Sequence, residues 1–156
     1  MSTVILYASK YGATQKIASI IADKIPNASL IDLKCANSAT IENFDTVIIG
    51  SAIYAGLIRK EAKDFIEKSQ TTLLKKNIAL FISGISEDAQ ELFFKNNFPA
   101  SLLQHSKANM LLGGIFDPSK TNAIERTIVK LITKNSNYFS SIDDSKITAF
   151  IDKLGR

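Results

Sequence analysis

The sequence contains few of the residues on which side-chain chemistry usually depends. Its 156 residues include one cysteine, one histidine and no tryptophan. A single cysteine cannot form an internal disulfide bond, and we expect Cys35 to be a structural thiol. A metal site or a Ser-His triad needs more partners than His105 alone. The sequence therefore predicts neither a catalytic side chain nor a metal, and any chemistry is expected to come from a bound cofactor.

Long apolar runs and dense clusters of one charge are also missing. No run approaches the roughly 20 residues of a membrane-spanning helix, and the N-terminus has no secretory-signal pattern. We therefore expect a cytoplasmic protein. The net charge is +4, from 19 Lys and Arg against 15 Asp and Glu. This excess suits an anionic ligand, an acidic partner or peripheral contact with an anionic membrane surface, whereas a nucleic-acid binder would carry a denser basic stripe.

Apolar runs rich in β-branched residues alternate with helical patterns along the chain. The runs are mostly continuous, which is typical of parallel strands covered on both faces. They are Thr3–Ala8, Ser29–Leu33, Thr46–Gly50, Ile78–Ser83 and Met110–Phe116. Helices are predicted over Ala13–Lys24, Glu61–Lys68, Ser86–Lys95, Asn122–Lys134 and Asp144–Leu154. This alternation predicts an α/β protein with a doubly wound sheet, in one domain that covers residues 1–156.

Local signals refine two of these helices and describe one further segment. Ser86 is a candidate N-cap residue for its helix, and Asn122 with Glu125 three residues on is a variant of the capping box. The segment Phe98–Lys107 has no strong periodicity, and we expect a short irregular connection with room for one helical turn.

The first predicted strand is followed by a short loop, Ser9–Thr14, and then at once by a helix. In an open α/β sheet, ligands bind outside the carboxyl ends of the strands, and a helix N-terminus offers N–H groups to an anion. Ser9 and Thr14 add hydroxyl donors, and Gly12 allows the backbone to turn tightly. The glycine patterns of dinucleotide-binding folds and P-loop NTPases are absent. The loop predicts a site for one phosphate, with an ordinary capped turn as the alternative.

These residues carry a resemblance to a known family. The pattern Ser9-x-x-Gly12-x-Thr14 resembles the phosphate loop of the flavodoxin family, and Asp45–Gly56 resembles the run after the third strand of flavodoxin-like proteins. The resemblance implies a flavodoxin-like five-stranded parallel sheet of order 2-1-3-4-5, with helices on both faces. It also implies one non-covalently bound FMN, with Tyr54 against the isoalloxazine ring.

The resemblance assigns the FMN contacts to three loops. The first loop contributes Ser9, Lys10, Tyr11, Gly12, Ala13 and Thr14, the second Ser51, Ala52, Ile53, Tyr54, Ala55 and Gly56, and the third Ser83, Gly84 and Ile85. Tyr11 stands where flavodoxins usually have threonine, so one phosphate contact is lost or comes from the tyrosine. The third loop has no aromatic residue nearby, and we expect the second flavin face to rest on Ile85 or to stay open to a partner.

Three functions remain open from the sequence. The first is a flavin electron-transfer protein that serves a redox partner protein. The basic charge differs from that of acidic flavodoxins, and Gly113–Asp117 with Ile124–Lys134 resembles the quinone-dependent protoporphyrinogen oxidases of flavodoxin type. That resemblance implies an enzyme acting on quinone- or porphyrinogen-like molecules. The third function is an interaction module on a flavodoxin-like fold that no longer binds flavin.

Overall fold

A parallel sheet forms the centre of the computed structural model, which describes residues 1–133 and 137–155. Its strands are β1 (Thr3–Ala8), β2 (Ser29–Asp32), β3 (Thr46–Tyr54), β4 (Leu57–Ile58), β5 (Asn77–Ser83) and β6 (Asn109–Leu111). The parallel strands run in the order β2-β1-β3-β5-β6, and β4 pairs antiparallel with the end of β3. Counted without β4, this is the predicted order 2-1-3-4-5, and the predicted fold is confirmed.

Helices cover both faces of this sheet. The helices are α1 (Ala13–Lys24), α2 (Lys60–Leu73), α3 (Gln90–Asn97), α4 (Ala100–His105), α5 (Ala123–Thr133) and α6 (Asp144–Asp152), and those that pack on the sheet are α1, α2, α3, α4 and α6. Successive residues of a strand point to opposite faces, so Ile5 and Leu6 lie in different cores. The core around Ile5 includes α1 and α6, and the core around Leu6 includes α2, α3 and α4.

The predicted strand Met110–Phe116 is wrong, because the chain turns in its middle. The strand β6 ends at Leu111, and Gly113 has a left-handed φ of 95° that a β-branched or bulky residue rarely adopts. A short strand β7 (Ile115–Phe116) then pairs antiparallel with β8 (Phe139–Ser140) in a separate two-stranded sheet. We call β7, α5 and β8 together the arm.

Several local predictions also need correction. The segment predicted to be an irregular connection contains the six-residue helix α4. Ser86 makes no capping hydrogen bond, and a 3-10 turn precedes α3. Asn122 does cap α5, since its Oδ1 accepts the Glu125 N–H at 2.8 Å. Cys35 is exposed, unlike a buried structural thiol. The predicted end of the arm helix at Lys134 lies outside the described residues.

Across residues 1–133 and 137–155, no helix combines the length and the apolar character needed to cross a membrane.

Gly50 in the middle of β3 leaves room for a large core side chain on the next strand. Gly50 pairs with Phe81 of β5, and a Cβ atom at Gly50 would lie 1.9 Å from Cζ of that ring. Phe81 is fully buried and meets Phe150 edge-on, with ring centroids 6.0 Å apart. The ring therefore cannot turn outward to make space.

We predict that Gly50→Ala lowers the free energy of unfolding by about 1–3 kcal/mol, the usual cost of overpacking a core. Urea denaturation measures this value. Gly84→Ala is the control, because its Cβ would meet its nearest neighbour at an ordinary 3.7 Å. In a Phe81→Leu background the cost of Gly50→Ala should shrink. An equal cost in both backgrounds would contradict the packing explanation.

Candidate functional site

The carboxyl ends of β1, β3 and β5 open into a cavity of about 230 Å³. All three loops identified in the sequence contribute to its wall. The predicted residues that line it are Ser9, Lys10, Tyr11, Ala13, Thr14, Ala52, Ile53, Tyr54, Ala55, Gly56, Ser83, Gly84 and Ile85. Gly12 and Ser51 were also predicted but are not among the lining residues. Their contacts are within the loops: the Gly12 N–H donates to Ser9 Oγ, and Ser51 Oγ accepts the Arg59 N–H.

The first loop leaves the N-terminus of α1 available to an anion. Gly12 adopts a left-handed φ of 98° directly before the helix, and its N–H donates to Ser9 Oγ at 2.9 Å. Among the described residues no side-chain cap is present at Gly12, the N-cap position of α1, and the first turn of the helix carries no acidic residue. The positive end of the helix dipole and the first N–H groups of α1 thus remain for a negatively charged ligand.

A pair of buried hydroxyls joins the first loop to the third. Thr14 Oγ1 and Ser83 Oγ lie 2.6 Å apart, and both residues line the cavity. Each hydroxyl carries one hydrogen, and the bond between them uses only one. The pair therefore keeps one O–H hydrogen that can be donated to a ligand oxygen.

The second loop is a tight hairpin that presents Tyr54. Ala55 and Gly56 both have positive φ values, 51° and 78°, which is the geometry of a two-residue type I′ turn between β3 and β4. Ser51 holds the base of the hairpin, since its Oγ accepts the Arg59 N–H at 2.9 Å. From α3, Asn97 donates to Gly56 O at 2.8 Å. Anchored on both sides, the hairpin holds Tyr54 at the rim of the cavity.

Aromatic residues outside the three loops also reach the cavity. Phe93 comes from α3 and Phe116 from β7, so two aromatic residues line the cavity although neither belongs to the third loop. Their positions in the chain give no sign of this, because both depend on how α3 and the arm pack against the sheet. The other lining residues that were not predicted from the sequence are Ser86, Gly114, Ile115, Thr121, Glu125 and Val129.

Backbone contacts at three glycines bring the arm to the site. The Gly84 N–H donates to Gly113 O at 2.9 Å, and a Cβ at Gly114 would lie 3.0 Å from the Gly84 carbonyl. At the other end of the arm, the Ser141 N–H donates to Gly114 O at 2.8 Å. The segments at the two ends of the arm therefore meet beside the third loop. From there the arm contributes Ile115, Phe116, Glu125 and Val129 to the cavity wall.

Glu125 of α5 carries a carboxylate into this cavity. Its side chain is only 5% exposed, and Oε1 lies 2.6 Å from Lys10 Nζ. Its Oε2 accepts the Tyr11 hydroxyl at 2.5 Å. Lys10 Nζ also lies 3.6 Å from the centre of the Tyr54 ring, a cation–π contact. The side chains of the first loop, the hairpin and the arm thus meet around one ion pair.

The ionisation of Glu125 follows from these contacts. Burial alone would raise its pKa, but hydrogen bonds from Lys10 and Tyr11 and the charge of Lys10 together hold the pKa below its usual range. The hydrogen bond to Glu125 raises the pKa of the Tyr11 hydroxyl, with burial adding to it. At neutral pH the cavity therefore contains a carboxylate, an ammonium and a protonated phenol.

The fold and this cavity define a doubly wound α/β protein whose cavity lies where the strand order reverses, between β1 and β3. The flavodoxin domain family model matches residues 4–143, and the chain belongs to this family. The flavodoxin-like domain-containing protein BilS of Clostridioides difficile is 30% identical over 131 residues, which cover 77% of this chain and 67% of BilS. An uncharacterised protein of Methanocaldococcus jannaschii is 37% identical over 73 residues, 46% of this chain. The match spans about half of that protein's length, 48%.

Solved structures share the fold at low identity. A short-chain flavodoxin associated with a bacterial microcompartment gives a TM-score of 0.55 at 16% identity, over 71% of this chain and 82% of that chain. The Streptococcus pneumonia TIGR4 flavodoxin gives 0.54 at 20% identity, over 71% and 83%. Rubredoxin oxygen:oxidoreductase of Desulfovibrio gigas gives 0.51 at 14% identity, over 99% of this chain and 37% of that chain.

The low pKa of Glu125 predicts a pH-dependent contribution to stability. A carboxylate whose pKa is lower in the folded state stabilises the protein above its unfolded pKa of about 4.3, and this contribution is lost as the pH falls through the folded value. Glu125→Gln removes the titrating group. We predict that the difference in unfolding free energy between wild type and Glu125→Gln is constant above about pH 5.5 and changes below about pH 4.3, with wild type losing more stability.

Urea denaturation of both proteins at a series of pH values measures this difference. Other carboxylates with lowered pKa values titrate alike in both proteins and cancel: Asp45, Asp64, Asp117 and Asp143. A difference that stays the same from pH 7 to pH 3 would show that Glu125 is not charged and paired in the folded state.

Proposed function

We propose that this protein binds one FMN non-covalently in the cavity and transfers electrons through it to or from a redox partner. The observation that carries the proposal is the composition of that cavity. It combines the uncapped N-terminus of α1, which suits one phosphate, with aromatic walls from Tyr54, Phe93 and Phe116, which suit a flat ring. Membership of the flavodoxin domain family supports the same ligand.

The residues of the cavity fit the two chemical ends of FMN. For the phosphate there are the N–H groups at the start of α1 and the remaining hydroxyl hydrogen of the Thr14–Ser83 pair. For the ring there are Tyr54 and Ile53 from the second loop and Ile85 from the third, and all three line the cavity. The first turn of α5 also lines the cavity, but Asn122 caps that helix. The uncapped N-terminus of α1 therefore suits one phosphate and favours a mononucleotide over FAD, because FAD needs a second phosphate position.

When bound, FMN supplies the redox chemistry, and the chain's own residues bind and orient it. The first loop would hold the phosphate end, and the anchored hairpin would place Tyr54 beside the ring. Phe93 and Phe116 supply further apolar wall to the cavity. Tyr54 is 39% exposed and Leu57, its neighbour across the hairpin, is 65% exposed. We propose that this tip of the hairpin is where a redox partner protein meets the flavin edge.

One observation favours the enzyme as a second candidate. On α5, within the segment that resembles the flavodoxin-type protoporphyrinogen oxidases, Ile124 and Leu131 are 69% and 77% exposed. Arg126 and Lys130, four residues apart, occupy a different side of the same helix. The exposed apolar pair suits an apolar substrate, and a helix that also carries basic residues suits peripheral contact with an anionic membrane. An assay of porphyrinogen oxidation with a quinone acceptor tests this candidate. The cytoplasmic location and the single domain stay predictions.

The ligand identity is tested by titrating the purified protein with FMN, riboflavin and FAD. Quenching of flavin fluorescence measures the binding of each. We predict that FMN binds tightest, because it alone supplies one phosphate without a second nucleotide to accommodate. Binding of none of the three would favour the interaction module. Tighter binding of FAD, or its release from the purified protein on denaturation, would contradict the single-phosphate site.

Thr14→Val tests the phosphate end of the site. The change keeps the side-chain shape and removes a hydroxyl, and a hydrogen bond to a charged group contributes about 1.5–3 kcal/mol. We therefore predict that FMN affinity falls roughly 10-fold to 100-fold, while riboflavin affinity barely changes. Thr71→Val is the matched control, since Thr71 lies exposed on α2 outside the cavity. Equal losses for both flavins would show that the Thr14–Ser83 pair acts only on the structure.

A further inference from the structure

Glu125 is the one charged residue that is buried in the part of the chain that the structure describes. A buried ion pair contributes little net stability, because removing both charges from water offsets their attraction. Stability therefore does not explain why a carboxylate lies here. The explanation has to come from its position, inside the cavity and against the loop that begins the phosphate site.

The partner of Glu125 is the cation of the first loop. Lys10 lies between Ser9 and Tyr11, and its ammonium is held by the Glu125 carboxylate at 2.6 Å. The flexible four-carbon stem of a lysine lets the same ammonium turn toward other acceptors close to its backbone. A phosphate at the N-terminus of α1 is such an acceptor, because that helix begins three residues after Lys10.

Two anions therefore compete for one ammonium in the same cavity. The Glu125 carboxylate has Lys10 and Tyr11 as donors, and a ligand phosphate would need the same cation to balance its charge. A carboxylate in the same cavity also repels the phosphate, and low local polarity strengthens this repulsion. Both effects act on the phosphate of the ligand and not on an uncharged ring.

We propose that Glu125 is a specificity-determining residue that competes with the ligand phosphate for Lys10 and so limits the preference of the site for phosphorylated flavin. This inference rests on the proposed function. It adds that Glu125 makes the affinity of the site depend on the charge of the ligand. The arm thereby takes part in ligand selection, because it carries Glu125 into the cavity. Lys10 supports phosphate binding, and Glu125 opposes it.

The test measures the preference of the site as the riboflavin dissociation constant divided by the FMN dissociation constant. Glu125→Gln frees Lys10 for the phosphate, and we expect this ratio to rise about tenfold. Lys10→Met keeps the apolar stem and removes the charge, and we expect the ratio to fall. In the Lys10→Met background, Glu125→Gln should have a smaller effect on the ratio than in wild type. Glu87→Gln is the matched control: Glu87 pairs with Lys146 at the same 2.6 Å, is 50% exposed and lies outside the cavity lining.

The outcomes separate this inference from the proposed function. If wild type binds FMN but the ratio stays unchanged or falls in Glu125→Gln, the competition is wrong. If wild type binds neither flavin, the proposed function fails and this inference fails with it. Circular dichroism checks the fold of each variant. Should Glu125→Gln not fold, Lys10→Met decides the matter, because an unchanged or higher ratio in that variant would overturn the proposal.

Discussion

The parallel pairing of β1, β3 and β5 is the constraint on which the rest of the site depends. The register sets Ala8 of β1 beside Ser51 of β3, and Ala52 beside Ser83 of β5, so the three strands end at nearly the same height. Parallel strands send all their following loops to one edge of the sheet. Residues far apart in the chain, such as Thr14 and Ser83, therefore come within hydrogen-bonding distance without any long loop.

The fold was predictable because its signals are local and repeated. Continuous β-branched runs marked the buried parallel strands, and the helix Ala13–Lys24 was predicted with its observed bounds, since Pro26 ends the pattern. The break of the last predicted strand was not predictable from hydrophobicity. It depends on a close approach of Gly113 to Ser141, where a Cβ would lie 2.1 Å from a carbonyl oxygen. Contacts between distant parts of the chain leave no periodic pattern.

The residues of the candidate site also divide into those that the sequence predicted and those that it did not. The loops that follow the strands were identified from the sequence because a strand end followed by a helix start is a local feature. The wall formed by Phe93, Phe116 and Glu125 was missed, because it depends on packing of α3 and of the arm. Glu125 was interpreted as half of a capping box, and Asn122 does cap the helix, but the Glu125 carboxylate points to Lys10 and Tyr11. The adjacent Lys10 and Tyr11 of the first loop, both hydrogen-bond donors, are a sequence signal that could have pointed to a nearby acid.

The central claim is that one mononucleotide flavin lies at the carboxyl edge of this sheet, with its phosphate on α1. A crystal structure of the protein grown with FMN tests this most directly. We expect electron density for the phosphate at the first N–H groups of α1 and within hydrogen-bonding distance of Thr14 or Ser83, with the ring beside Tyr54. Flavin density elsewhere on the molecule, or a phosphate away from the α1 N-terminus, would contradict the account.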